Sequence, residues 1–333
     1  MRMPINRRQM LQGSGLLFMG SSVNAAREAL KIPQGNGPLP AEWTNAPAIA
    51  LWNDPPPGAT GIVPKPSAAL DPTFITGVIH PEIRVFRPVK GNGQAILAIP
   101  GGAYTFVSIR NEGTDVARVF TDLGYTVFVL VYRLPGEGWE NRADVPLQDA
   151  QRAMRLIKSR ASEFGINPAN VAVIGFSAGG HLAASLITGG REQTYKPRDE
   201  ADRIDPMPFC SALIYPVISA QPPFTHQQSA TMLLGPSPSA KAIAKRSPAR
   251  HVGPETPPAF LVHALDDEPV PYQNSLLFLD AMRQAERPVE LHLFEEGGHG
   301  FGIGPSNAPA GQWPQLFAAF MRRQGPRWFV SGP

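Results

Sequence analysis

Cysteine is nearly absent. Cys210 is the single one in 333 residues, so no internal disulfide can brace the fold and stability must come from packing. It sits in the apolar run "FCSALIYPV" and reads as buried filler. Long apolar runs are missing as well. The most apolar stretch near the start is interrupted by Gly13, Gly15 and Gly20 and is too short to span a bilayer. There is no H-E-x-x-H helix, no Walker loop and no dinucleotide fingerprint, so no metal and no cofactor is expected. Nor is there a basic body. Of 30 basic residues against 27 acidic, Arg2, Arg7 and Arg8 fall in the first 25 residues, which hold no acid. Without that segment the charges balance at 27 each, and no basic run remains to hold a nucleic acid.

The chain has 43% hydrophobic and 17% charged residues, ample for a large core. It opens on "MRMPINRRQMLQGSGLLFMGSSVNAA", paired arginines followed by a mildly apolar stretch and a small-residue cleavage site. This pattern resembles a twin-arginine export signal over residues 1–25, implying a periplasmic or secreted protein with no membrane anchor after cleavage. Residues 26–66 are proline-dense, with "PPPGATG" as the extreme, and read as an extended N-terminal arm. From 67 to 333 strand and helix patterns alternate. "AILAIP", "TVFVLVYR", "NVAVIGF", "CSALIYPVI", "AFLVHAL" and "VELHLFEE" are strand-length apolar runs. Helix patterns separate them, including Leu147, Ala150, Ala153, Met154, Ile157, Ala161 and Phe164 at helical spacing, then 271–286 and 312–323. That alternation predicts an α/β fold with a parallel sheet covered on both faces. The Pro-, Ser- and Gln-rich stretch 221–240 breaks the rhythm, and an inserted lid or an ordinary surface loop both fit it.

The most informative stretch is "VAVIGFSAGGHLAAS". A strand runs directly into Gly175-Phe176-Ser177-Ala178-Gly179, and a small-residue helix follows. A sharp strand-to-helix corner brings the residues two before and two after the serine against each other, so both must be glycine. Such a corner lifts the Ser177 hydroxyl above the sheet and leaves the amide of Ala178 at a helix N-terminus, where it can face a developing oxyanion. A serine hydroxyl is a weak nucleophile without a base, and the base needs an orienting acid. Among seven histidines, His299 alone stands in a glycine-rich loop, "EEGGHGFG", just past a strand. His181 lies one helical turn beyond Ser177 and is the weaker base candidate; His263 and His292 fall within strand runs and read as structural. For the acid, "LVHALDDEPVP" offers Asp266 and Asp267 at a strand end. Asp267 is preferred from its spacing to Val270-Pro271, with Asp266 the alternative. The loop after an early strand should supply the second oxyanion donor. "AIPGGAYTF" fits, through the amide of Gly102 or Ala103.

Together "PGGAY", "NEGTDVARVFTDLGY", "VYRLP", "VAVIGFSAGGHLAA", "LVHALDDEPVP" and "GGHGFG" resemble the α/β-hydrolase superfamily over residues 75–325. Within it, the pattern is similar to secreted bacterial esterases related to acetyl xylan esterases and feruloyl-esterase-like (BD-FAE-like) hydrolases. The resemblance implies a mostly parallel twisted sheet of about eight strands, Ser177 as nucleophile, Asp267 as acid and His299 as base. It also implies Gly102 and Ala178 as oxyanion donors. Where the family loop has a third glycine this chain has Ala103, which narrows the space beside the acyl group and favours acetate. Tyr104, Arg110 and Glu112 are candidates to line the substrate pocket. The expected activity is carboxylic-ester hydrolysis, with acetylated sugars or a xylan-type polysaccharide as substrate. A general short-chain carboxylesterase or lipase, a prolyl-oligopeptidase-like peptidase, and a non-catalytic binding protein on the same fold are the alternatives.

Overall fold

The computed structural model describes residues 38–324, apart from 62, 63, 65, 68, 69 and 306. The twin-arginine segment therefore lies outside the described residues, as does the arm before residue 38. In chain order the strands are β1 (Ala48–Ala50), β2 (Phe74–Ile75), β3 (Glu82–Phe86), β4 (Ala95–Ile99), β5 (Val107–Ser108), β6 (Thr126–Val131), β7 (Val171–Phe176), β8 (Ser211–Ile214), β9 (Ala259–Ala264) and β10 (Val289–Phe294). The helices are α1 (Ala41–Asn45), α2 (Asp115–Asp122), α3 (Val145–Ser159), α4 (Ala161–Phe164), α5 (Ser177–Gly189), α6 (Gln227–Leu234), α7 (Ala240–Lys245), α8 (Gln273–Gln284) and α9 (Trp313–Gln324).

Eight strands form one sheet in the order β1-β3-β6-β4-β7-β8-β9-β10. Strands β6 to β10 run parallel, while β3 pairs antiparallel with both β6 and β1. Every residue of β4, β6, β7, β8 and β9 is buried. Their unbroken apolar runs reflect this, since a strand covered on both faces has no polar side to alternate with. Helices α2 and α9 share one face, meeting through Phe120, Trp313 and Phe317. Helices α3 and α5 pack together on the other. Among the described residues no helix is long and apolar enough to cross a membrane.

Two elements escape the alternation read from sequence. Strand β3 is buried at every second residue, and β1 lies inside the proline-dense arm. The described part of that arm is tied down by hydrogen bonds. Trp52 Nε1 donates to Asp149 Oδ1 at 2.8 Å, and Arg152 Nε donates to the Leu51 carbonyl at 2.9 Å. Asp149 forms a fully buried ion pair with Arg133, whose Nη1 also reaches the carbonyl of Pro57. Residues 221–240 fold into α6 and the turns around it, and Gln228 of α6 donates to Thr105 Oγ1 at 3.1 Å.

Candidate active site

Strand β7 enters α5 through Ser177, which takes φ +52°, a left-handed conformation uncommon outside glycine. The corner is crowded as its glycines require. A Cβ on Gly175 would collide with the Gly179 carbonyl and the Ala183 methyl, and one on Gly179 with the carbonyls of Ile99 and Pro100. Ser177 is held by its own carbonyl, which accepts from the Val217 amide at 3.0 Å. The Ala178 amide falls in the first turn of α5, where N–H groups have no partner within the helix.

Ser177 Oγ donates to His299 Nε2 at 2.9 Å, and His299 Nδ1 donates to Asp267 Oδ2 at 2.8 Å. Residues 90 and 32 apart along the chain, at the ends of β7, β9 and β10, thus form one line of hydrogen bonds. Of the two aspartates, Asp267 carries the contact to His299. Asp266 accepts the Gly298 amide at 2.8 Å and anchors the histidine loop instead. Burial works to raise the Asp267 carboxyl. Hydrogen bonds from His263 and His299, with the charge of His299 and the Val270 amide, outweigh it and hold the group below the usual aspartate range. The charged form is the one an imidazole needs beside it. His299 keeps 15% side-chain exposure, so solvent and substrate can reach it, whereas the Asp267 side chain is fully enclosed.

The loop after β4 passes against the serine, since a Cβ on Gly101 would lie 2.9 Å from that of Ser177. Gly102, Ala103 and Tyr104 have φ of +126°, +54° and +59°. Two of the three are not glycine, a strain of roughly 1–3 kcal/mol each. The Gly101 carbonyl accepts from Ser108 N at 3.1 Å, and the Gly102 carbonyl from Thr105 N at 2.8 Å and Phe106 N at 3.2 Å. Across a trans peptide the following N–H points the opposite way, so the amides of Gly102 and Ala103 are turned away from those interactions.

Tyr104 and Glu112, expected from sequence to line the substrate pocket, are buried with partners inside the protein. The Tyr104 hydroxyl meets His181 Nδ1 at 2.8 Å, and His181 Nε2 donates to the Arg246 carbonyl at 2.9 Å. Burial lowers His181 to about 4, so its ring is neutral and structural. Glu112 accepts the amide of Gly101 at 2.7 Å and the Tyr215 hydroxyl at 2.8 Å. Arg110 is exposed at the start of the π-helical turn Arg110–Thr114.

Three residues near the site carry no sequence signal of their role. His263 is fully buried in β9, and its Nε2–H is shared between the Val270 carbonyl at 2.9 Å and Asp267 Oδ2 at 3.2 Å. Its position in an apolar strand run hides that it faces the aspartate four residues on. Tyr215 directly follows β8 with φ +37°, and its ring packs edge-on to His299 at 5.0 Å. His226, at the start of α6, is lowered to about 4 by burial and by the nearby charge of His299. Residues of α6, with Tyr104, His181 and Val217, enclose a cavity of about 10 Å³, room for a single water.

Comparison with known proteins places residues 83–282 under the BD-FAE family model. The chain is 34% identical over 223 residues to an acetylxylan esterase of Xylanibacter ruminicola, covering 66% of this chain and 43% of that protein. It is 33% identical over 210 residues to the endo-1,4-beta-xylanase B of Butyrivibrio fibrisolvens, covering 63% of this chain and 33% of that one. The chain thus spans less than half the length of either relative. Among solved structures, an acetyl ester-xyloside bifunctional hydrolase from Caldicellulosiruptor lactoaceticus superposes with a TM-score of 0.69 at 32% identity. That match covers 84% of this chain and 96% of the other.

Proposed function

The chain belongs to the BD-FAE family of α/β-hydrolases, which classes it with the carboxylic-ester hydrolases, and from that premise we propose that it removes acetyl groups from acetylated sugars through Ser177, His299 and Asp267. The observation that carries the reading is the line of hydrogen bonds from Ser177 Oγ through His299 to a buried, ionised Asp267. It ends at a serine held at the strained corner a nucleophile needs. His299 Nε2 takes the serine proton as Oγ attacks the ester carbonyl, and Asp267 stabilises the imidazolium. The oxyanion is received by amides of Ala178 and of Gly102 or Ala103, dipoles already oriented before charge develops. The alcohol leaves with the His299 proton. Water, deprotonated by His299, then cleaves the acyl-enzyme to acetate and free Ser177.

Acetyl rather than a longer acyl group is supported by Ala103, which narrows the space beside the acyl group. Kinship to an acetylxylan esterase and to an acetyl ester-xyloside hydrolase supports a sugar as the alcohol. The paired arginines at Arg7 and Arg8 support export, where such substrates lie. The test is Ser177→Ala measured on acetylated xylose, acetylated glucosamine, p-nitrophenyl esters of rising chain length and dipeptide amides. Turnover should fall on the order of a million-fold, and fluorophosphonate labelling should disappear. Residual activity within tenfold of the unsubstituted protein would refute the nucleophile. Faster hydrolysis of long or aromatic acyl esters would refute the acetyl preference, and amide cleavage alone would assign a peptidase.

A further inference from the structure

Glu112 is a carboxylate 4% exposed, set on the π-helical turn that leads into α2. π-turns of this kind are rare and recur at functional sites. Its two oxygens serve two different loops. Oε2 accepts from the amide of Gly101, in the loop that carries Gly102 and Ala103. Oε1 accepts from the Tyr215 hydroxyl, which in turn accepts from the amide of Gly302 at 2.9 Å, three residues past His299. Both partners are donors toward Glu112, and a carboxylate accepts from both at once, whereas an amide of the same shape offers a single acceptor oxygen. Burial pushes the Glu112 carboxyl up from its usual range, against the opposing pull of these two hydrogen bonds and of His299. The Tyr215 ring is brought under His299 by a backbone at φ +37°, a costly conformation for a bulky residue that only a firm set of partners maintains.

We propose that Glu112 is a positioning residue for ester hydrolysis, setting the oxyanion loop and the His299 loop relative to each other through one buried group. The inference rests on the esterase reading above. The Gly101 amide on Glu112 holds the peptide plane that enters Gly101, and the Gly101 carbonyl on Ser108 holds the plane that leaves it. The second plane carries the Gly102 N–H, which is aimed once both planes flanking Gly101 are fixed. Through Tyr215 the same carboxylate seats Gly302, whose own carbonyl is held by Trp313 Nε1 at 3.0 Å. A Cβ on Gly302 would lie 2.6 Å from the Asn111 carbonyl oxygen, so the histidine loop closes directly on the turn that carries Glu112. Base and oxyanion donors therefore share one anchor that touches neither substrate nor reacting atoms.

The test compares Glu112→Gln, Tyr215→Phe and the double variant on p-nitrophenyl acetate, with melting temperatures recorded for each. Glutamine keeps the shape but turns one acceptor into a donor, so either the Gly101 N–H or the Tyr215 O–H loses its acceptor. kcat should fall about 30-fold with KM within about threefold, the signature of misplacing donors by a fraction of an ångström. Affinity for a trifluoromethyl ketone, which mimics the tetrahedral adduct, should fall in parallel with kcat/KM. Tyr215→Phe should lower kcat about tenfold, and the double variant should be no slower than Glu112→Gln, because both cut one connection. Multiplying losses in the double variant overturn the proposal, as does kcat within about threefold of the unsubstituted protein in a folded Glu112→Gln. Should Glu112→Gln not fold, Tyr215→Phe decides by the same criterion. A protein that hydrolyses no ester at all would overturn the function itself. An active protein silenced by Ser177→Ala but indifferent to Glu112→Gln would overturn this inference alone.

Discussion

Replacing Gly101 by alanine tests whether the loop after β4 takes part in the reaction or only covers it. Gly101 has no left-handed backbone to strain, so the added methyl acts through contact alone. The new Cβ would lie 2.7 Å from the Phe176 carbonyl oxygen, 2.9 Å from Ser177 Cβ and 3.1 Å from Glu112 Oε2. The first is about 0.7 Å inside ordinary van der Waals contact, and neither Phe176 nor Ser177 can yield without disturbing the corner. The loop must therefore move away from Ser177 by a large fraction of an ångström. Overpacking of this size costs about 1–3 kcal/mol of stability. A displacement of reacting groups approaching 1 Å costs up to about 100-fold in rate, so kcat/KM should fall by about 10- to 100-fold.

The assay is steady-state hydrolysis of p-nitrophenyl acetate beside urea unfolding. Gly165→Ala is the control, a left-handed glycine after α4 with open space around it. That variant should lose about 1 kcal/mol from backbone strain and keep full activity. If Gly101→Ala keeps kcat/KM within about twofold while losing stability as expected, the loop is not part of the catalytic geometry and the oxyanion assignment fails.

Asp267→Asn should cost about 10⁴-fold in kcat by removing the charge that orients His299, while Asp266→Asn should cost less than about tenfold. Equal losses in the two variants would count against Asp267 as the acid. Asp149→Asn leaves Arg133 charged and unpaired in the core, and should destabilise by about 3–5 kcal/mol in denaturant titration. A change under about 1 kcal/mol would show that the pair does not anchor the arm. His181, lowered from 6.5 to about 4, is neutral when folded, so the unfolded chain binds the extra proton between those values and stability declines as pH falls from 6.5 to 4. His181→Gln should be spared about 3 kcal/mol of that decline, and parallel pH–stability curves for the two proteins would refute it.

The parallel core was legible because its physics is local. A strand buried on both faces must be apolar throughout, and such runs separated by single helices allow few arrangements. The serine corner was legible for a similar reason, since the collisions at Gly175 and Gly179 are repulsions between near neighbours that any such sequence must avoid. Strand β1 was hidden because proline masks an edge strand, and β3 because half of it faces outward.

What the linear chain determined by itself was the fold class and a set of residues whose types suit acyl transfer. Tertiary structure alone decided how those residues meet. Asp266 and Asp267 are adjacent and chemically identical, and the return path of the β10 loop puts one on His299 and the other on Gly298. Glu112, expected from sequence to line the substrate pocket, becomes a buried brace only because the chain after β8 turns Tyr215 toward it from 103 residues away. His263 likewise meets Asp267 only because the chain reverses after β9. Hydrogen bonds between distant segments depend on directions in space, and residue order along a chain does not encode direction until the sheet has formed.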